Sequence, residues 1–436
     1  MALLKNGWYC AATSAEVGDK PFARRILGLP VLLVRDSSGR VQAMSDMCPH
    51  RFAPLHKGVR MGDAVECPYH GLRFDLTSGR CVHNPHGDGR IPDTARIPKF
   101  PVEERQEVVW IWPGDPQLAT PDSIPDLQLF APGASGRVAG CMTMQVDYRL
   151  VLDNLLDLSH AVYLHAGTLA PSRAKREVTN INGETSIRVN SVMRDVATPS
   201  SLGLYFPAAR GDVHSHIEWM APGTFRQGLT ITEVGADPEA GAITRNAHLI
   251  TPETERSTHY FWFHSRNRLA DNQSIDEGTR AILSKAFLTE DEPMIAACQS
   301  YQAGREFFSL TSVFLPTDRA GTRCRRIMER LIAGQTITST DRPGTAPEFR
   351  EKQESVRRST PAAGTGLGSA WRRIACRGGG CRRCFRLNAL PGPILSAQCC
   401  CMERKAEYDC RFVPARSPSR SATRPRCEAG SWLRCA

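Results

Sequence analysis

No apolar run in this chain is long enough to cross a bilayer as a helix, which excludes a helical membrane anchor. Residues 1–8 (MALLKNGW) lack the basic start and long apolar stretch of a secretory signal, so a cytoplasmic protein is expected. No glycine-rich nucleotide-binding fingerprint stands out, and the chain is not expected to bind a nucleotide cofactor itself. Net charge is scarce outside the C-terminal segment. Residues 346–436 hold 18 Lys+Arg against 7 Asp+Glu, whereas residues 1–345 hold 37 against 38. The overall +10 therefore gives no reason to expect nucleic acid or a membrane surface as a partner.

Cysteine is equally uneven, with nine of the sixteen between 376 and 435. Composition changes after about Thr345, and residues 346–436 are rich in Arg, Cys, Ser, Pro and Gly with little apolar periodicity. That tail is expected to be disordered, or the out-of-frame translation of a GC-rich gene end. One competing reading is the C-x4-C-x2-C spacing of Cys376, Cys381 and Cys384, as in a plant-type ferredoxin. No alternating strands precede it and no fourth cysteine sits at the usual distance. Zinc is the other candidate for the same thiols.

Within the body, chemistry-bearing residues concentrate in two places. The first is CPHR at 48–51, followed fifteen residues later by CPYH at 67–70. Cys48, His50, Cys67 and His70 could hold zinc, but zinc hairpins usually put Cys with Cys and His with His. One Cys and one His on each loop suits a Rieske [2Fe–2S] centre, where one iron takes both thiolates and the other both imidazoles. Neutral imidazoles in place of two thiolates raise the potential to roughly −150 to +300 mV, which makes the site an electron carrier. The prolines stiffen both loops and Gly71 permits a tight turn. Cys81, His83 and His86 lie nearby but fall outside the four-ligand pattern and read as structural.

The second place is residues 147–165. Leu150, Leu152, Leu155, Leu156 and Leu158 predict a buried helical stripe over 148–158. Asp153, Asp157 and His160 follow at one-turn spacings. His160 and His165 are five apart, about 140° around a regular helix, so both face one metal only if the helix ends or bulges between them. With a carboxylate they would form the two-histidine, one-carboxylate triad of an oxygen-activating iron(II) site. Two helical histidines can also be merely hydrogen-bonded or partly exposed.

These residues carry a resemblance. The chain resembles the oxygenase component of Rieske non-haem iron oxygenases, whose hallmark D-x2-H-x4-H is matched by Asp157, His160 and His165. The resemblance implies a third iron ligand at Asp291, in the run TEDEPMI at 289–295; Glu290 and Glu292 are adjacent alternatives. An acidic helix start is the ordinary reading of that run. It further implies that Asp157 bridges His160 and a Rieske histidine, matching His70, of a neighbouring subunit. Asn154 matches a polar residue near the iron that is not itself a ligand.

Short strands and turns predict a β domain over 1–116, with hairpins at 31–44 and 74–82 and a closing strand at 108–112. A Pro-rich linker over 117–134 follows, then a domain over 135–345. In that domain 185–192, 228–232, 242–249 and 258–264 alternate like strands, with helices from about 276 to 334. The expected class is α+β. The resemblance implies a Rieske domain followed by a helix-grip catalytic domain, a head-to-tail homotrimer, and a separate flavin/ferredoxin-type NAD(P)H reductase.

Phrases such as NGWY at 6–9, RFAPL at 51–55 and TPETER at 251–256 are most similar to the vanillate O-demethylase oxygenase group. The implied reaction is O2-dependent demethylation of a methoxylated aromatic acid, releasing formaldehyde. Ring or methyl hydroxylation, a non-catalytic Rieske electron carrier and a zinc-stapled binding protein are the alternatives. Arg210, His214, His216 and Arg226 are candidate carboxylate contacts, each also readable as an ordinary strand or surface residue.

Overall fold

The computed structural model describes residues 3–334 except 132, 134, 172 and 173, all within the compact unit Met1–Arg350. The expectations for the tail, ferredoxin-like or otherwise, lie outside the described residues. The N-terminal part is built from strands β1 (Tyr9–Thr13), β2 (Phe22–Ile26), β3 (Leu29–Arg35), β4 (Val41–Ser45) and β5 (Val59–Met61). It continues with β6 (Ala64–Glu66), β7 (Arg73–Asp75), β8 (Cys81–His83), β9 (Val102–Arg105) and β10 (Val108–Ile111). They form three small antiparallel sheets, ordered β1-β10-β9, β2-β3-β4 and β5-β6-β7-β8. The apolar run 31–34 is buried throughout, because β3 is the centre of its sheet and is covered on both faces.

Two 3-10 turns, Pro116–Leu118 and Pro121–Ser123, carry the chain to β11 (Gly136–Met144). Helices α1 (Tyr148–Leu156) and α2 (Ala161–Leu164) come next, then β12 (Glu177–Asn182), β13 (Ser186–Ala197) and the single turn α3 (Ser200–Gly203). Strands β14 (Arg210–Met220), β15 (Thr224–Thr232), β16 (Ala242–Pro252) and β17 (Thr258–Arg266) complete one antiparallel sheet, ordered β11-β17-β16-β15-β14-β13-β12. Helix α4 (Gln273–Lys285), a π-helical turn (Ala286–Asp291), α5 (Glu292–Gln302) and α6 (Arg319–Ile332) follow. The α+β class is as the sequence predicts. Strands β11, β12 and β14 were not legible there, since β12 (EVTNIN) is a fully exposed edge and lacks an apolar alternation.

Burial explains two different strand patterns. On β13 partly exposed and buried positions alternate from Ser186 to Met193, because its inner face is the better covered. On β17 every position is buried. Its Tyr260 and Trp262 pack with α1 and α6 in one core, while Phe261 and Phe263 pack with Trp8, Trp110 and Trp112 of the N-terminal part in another. Burying each such ring is worth about 2–3 kcal/mol. Thr251 Oγ1 donates to Cys10 O at 2.8 Å, which ties the large sheet to β1. No helix among the described residues is long and apolar enough to cross a membrane.

The helix expected over 148–158 stops at Leu156. Asp157 leaves helical geometry (φ −96°, ψ 88°), so Leu158 lies outside it.

Candidate functional site

The tip of the N-terminal part is made by two loops of matching construction. In one, Phe52 N donates to Cys48 O at 2.9 Å and Cys48 N to Ala53 O at 2.9 Å. In the other, Gly71 N donates to Cys67 O at 3.0 Å and Cys67 N to Leu72 O at 2.8 Å. Each loop turns through a left-handed residue four positions after its cysteine, Phe52 at φ 58° and Gly71 at φ 69°. At position 71 a side chain would also come within 3.1 Å of the Pro85 ring, so both the backbone conformation and the close approach favour glycine there.

The loops bury both cysteines and bring the His50 and His70 rings to 4.5 Å between centroids. Burial pushes the Cys48 thiol up to about 11, and the adjacent Cys67 thiol adds to this. Backbone amides of His50 and Arg51 are aimed at the Cys48 sulfur and favour its thiolate. Two thiols side by side, with two imidazoles together at the surface, fit the two-sulfur and two-nitrogen ends of a Rieske cluster. Cys81 and His86 have structural bonds instead: Cys81 Sγ to His83 O at 3.3 Å, and His86 Nε2 to His70 O at 2.8 Å.

The second site is assembled by a break in one helix and a π-turn in another. His160 caps the start of the four-residue α2 and His165 its end (φ −104°, ψ 27°), so the geometry that a continuous helix forbids is reached. Asp291 closes the π-helical turn Ala286–Asp291, a feature common at functional sites. His160, His165 and Asp291 bring their ligand atoms within 4.8 Å of one another. His165 Nε2 lies 3.1 Å and His160 Nε2 3.7 Å from Asp291 Oδ1. Both Nδ1 atoms are engaged elsewhere, His160 with Asp157 O and His165 with Glu290 Oε2 at 2.7 Å. Converging Nε2 atoms and a buried carboxylate fit a mononuclear iron(II) of the two-histidine, one-carboxylate type.

Glu290 is therefore a carboxylate behind His165 rather than a member of the triad, and it also accepts from Thr168 Oγ1 at 3.2 Å. Burial alone disfavours the His165 cation, but Asp291 and Glu290 outweigh it and hold its pKa above the ordinary value. Burial dominates at His160 and lowers its pKa. Asn154 Nδ2 donates to Asp291 Oδ1 at 3.0 Å, the role of a near-metal polar residue that is not a ligand. Glu292 turns away and accepts from Gln145 N at 2.9 Å.

The implied carboxylate link from Asp157 to His160 needs correction. His160 Nδ1 meets the backbone carbonyl of Asp157, whereas Asp157 Oδ1 accepts from Ser159 N at 2.9 Å and Ser159 Oγ at 2.5 Å. The reason is local: Asp157 ends α1, so its carbonyl is free to turn toward the next residues.

His160, His165, Asp291 and Asn154 share a cavity of about 140 Å³ between the inner sheet face and the helices. Its apolar wall includes Leu158, Met193, Leu202, Leu229, Leu283 and Phe287. A polar ladder crosses its floor. Gln227, Asn246 and His264 are direct cross-strand neighbours on β15, β16 and β17. His264 Nδ1 donates to Asn246 Oδ1 at 2.7 Å, and Asn246 Nδ2 to Gln227 Oε1 at 3.2 Å. The available signal for this ladder was polar residues at inward positions of apolar strands. The four carboxylate-contact candidates lie elsewhere. Arg210 pairs with Asp195 at 2.7 Å on the surface, and His214, His216 and Arg226 line a wider groove of about 730 Å³ on the outer sheet face.

A Rieske-type tip and an iron cavity on one α+β scaffold define a class, the Rieske oxygenases. Comparison bears this out. Residues 7–101 match the Rieske [2Fe-2S] domain and residues 144–334 the vanillate O-demethylase oxygenase C-terminal domain. The chain is 41% identical over 345 residues to the chloroacetanilide N-alkylformylase oxygenase component of Rhizorhabdus wittichii (strain DC-6 / KACC 16600), covering 76% of this chain and 96% of the relative. It is 38% identical over 338 residues to the dicamba O-demethylase oxygenase component of Stenotrophomonas maltophilia, covering 76% and 98%. The crystal structure of dicamba monooxygenase bound to 3,6-dichlorosalicylic acid superposes with a TM-score of 0.73 at 35% identity, over 76% of this chain and 98% of that one. The chain belongs to the Rieske non-haem iron oxygenases, as an oxygenase component, and its cofactors are a Rieske [2Fe–2S] cluster and a mononuclear iron.

Proposed function

We propose that this oxygenase component removes a methyl group from a methoxylated aromatic acid, drawing electrons from a separate NAD(P)H-dependent flavin/ferredoxin-type reductase. Cys48, His50, Cys67 and His70 hold the cluster, and His160, His165 and Asp291 hold the iron. The domains divide at 1–116, 117–134 and 135–345. When bound, iron(II) supplies dioxygen activation and the cluster supplies the electrons. The balance is one O2, two electrons and two protons per methoxy group. One oxygen atom enters the methyl carbon and the other leaves as water, and the resulting hemiacetal splits into phenol and formaldehyde.

The observation that carries this reading is the cavity itself, in which three converging donor atoms face a wall of leucine, methionine and phenylalanine side chains. Such a wall positions an aromatic ring and keeps water from the reacting carbon. The subunits form a head-to-tail trimer, in which the Asp157 carboxylate meets His70 of the partner subunit and shortens the electron path.

The test is oxygen uptake with a panel of methoxybenzoates, reductase and NADH, with formaldehyde assayed alongside. Formaldehyde equal to the oxygen consumed is expected, and a His160→Ala variant should make none. Coupled oxygen uptake without formaldehyde would turn the assignment to ring or methyl hydroxylation. Unchanged turnover in His160→Ala would leave only an electron carrier. An N-alkyl anilide in the same panel tests a second reading, favoured by the 41% identity to the chloroacetanilide enzyme.

A further inference from the structure

Among the described residues lining the iron cavity, Arg176 is the one lysine or arginine. It stands just before β12, beside Met193 of the neighbouring β13. Its Nε is buried with no hydrogen-bond partner, and its Nη2 has only the Met193 thioether sulfur at 3.6 Å. What sets it apart is the missing anion: Arg266 also has an unpartnered buried Nε, but its guanidinium, like those of Arg226 and Arg325, has a carboxylate partner. Arg266 reaches Asp276 at 2.6 Å, Arg226 reaches Glu218 at 2.8 Å, and Arg325 is clamped on Asp153. Asp157 is near enough to favour the Arg176 charge, yet forms no ion pair with it among the described residues, and its Oδ1 is taken by Ser159.

A guanidinium partly withdrawn from water and left without an anion is costly, because the buried Nε–H loses hydration with nothing in return and the thioether is a weak acceptor for Nη2. It stays charged at any working pH, so deprotonation offers no relief. The other full charge on the cavity wall, Asp291, is committed to the two histidines. The substrate side of the cavity therefore carries one positive charge with no anion paired to it, and a planar fork of donors suits a carboxylate.

We infer that Arg176 is the specificity-determining anchor for an anionic substituent on the aromatic ring, and that it selects aryl carboxylates over neutral aryl ethers. The inference rests on the demethylation reading and deepens it. Arg176 touches the acid group, not the methyl carbon being oxidised. Its loss therefore acts on binding and on where the ring sits, rather than on dioxygen chemistry.

The experiment compares a methoxybenzoate, its primary amide and the matching methoxybenzenesulfonate on the wild-type holoenzyme, Arg176→Gln and Arg176→Lys. Calorimetric titration and formaldehyde release are read in parallel. Arg176→Gln should weaken acid binding about 10- to 100-fold and leave the amide within about threefold, with Arg176→Lys recovering part of the loss. Sulfonate following the acid would show that the site reads charge. Sulfonate failing to bind while the acid does would show that it reads carboxylate shape.

Equal effects of Arg176→Gln on acid and amide, or none on either, would overturn the anchor. If formaldehyde is still released in that case, the demethylation reading stands. No formaldehyde from any methoxyaryl compound with wild type would sink that reading instead, and the calorimetric acid-to-amide ratio would still decide the role of Arg176. A slowed electron transfer from cluster to iron in Arg176→Gln, with the binding ratio unchanged, would also overturn the anchor and make the residue a support for Asp157.

Discussion

His165 donates its Nδ1 proton to Glu290 across 2.7 Å, and this bond decides that Nε2 is the nitrogen facing Asp291. The carboxylate can only accept, so the tautomer is fixed before any metal arrives.

Removing Glu290 should therefore loosen the iron without touching the Rieske tip. Glu290→Ala is expected to weaken ferrous ion binding about 10- to 100-fold, while Glu290→Gln, which keeps an accepting oxygen, loses less. Ferrous ion titration on protein whose cluster absorbance is unchanged makes the measurement. Binding as tight as wild type in Glu290→Ala would show that the ring is held by packing alone.

The donor residues of both sites were legible because chemistry forces rare residue types into short spacings. One Cys and one His per loop, at 48–51 and 67–70, cannot easily be read otherwise. The 140° problem between His160 and His165 demanded that the helix end or bulge between them, and α2 ends at Leu164 with His165 already outside helical geometry. The functions within the run 289–292 were not legible. Three acidic residues in a row look alike in sequence, and only the π-turn separates Asp291 facing the histidines, Glu290 behind His165 and Glu292 turned to Gln145. Arg176 and the Gln227–Asn246–His264 ladder were hidden for another reason. They reach the cavity through sheet pairing between distant segments, and no local spacing encodes that. Asp157 was placed correctly beside His160, but its backbone carbonyl makes the contact that its side chain was expected to make.

In the helical wall behind the iron, one ion pair ties α6 to α1 alongside their shared apolar core. Arg325 on α6 holds Asp153 on α1 through Nε at 3.0 Å and 2.8 Å to its two oxygens, and its guanidinium lies 4.2 Å over the Phe307 ring. The Arg325 side chain is only 7% exposed, so its removal strands a half-buried carboxylate next to apolar side chains. Arg325→Met should cost about 3 kcal/mol in urea unfolding. The paired change Asp153→Leu with Arg325→Met should recover most of that, since no charge is then left without a partner. A single variant within about 0.5 kcal/mol of wild type would mean that solvent reaches Asp153 freely.

Two neutral histidines in the cavity floor should make the fold acid-labile. Burial holds His248 down to about 4, and burial together with the nearby Arg266 charge holds His264 down to about 3, against an ordinary 6.5. Below 6.5 the unfolded chain takes up protons that the folded chain refuses, so stability falls as pH falls toward 4. Each histidine contributes up to about 1.4 kcal/mol per pH unit across that window. The direction is the reverse of a histidine that gains an acidic partner, whose contribution is lost as pH rises. Urea unfolding at half-unit steps from pH 7 to 4.5 reads the slope, and His264→Leu should take one increment out of it. Leucine leaves Asn246 without its donor, so the absolute stability drops, but the change in slope is independent of that loss. A wild-type stability that is flat between pH 6.5 and 4.5 would mean that the cavity floor opens to water at little cost, which would also undercut its role in keeping water from the reacting carbon.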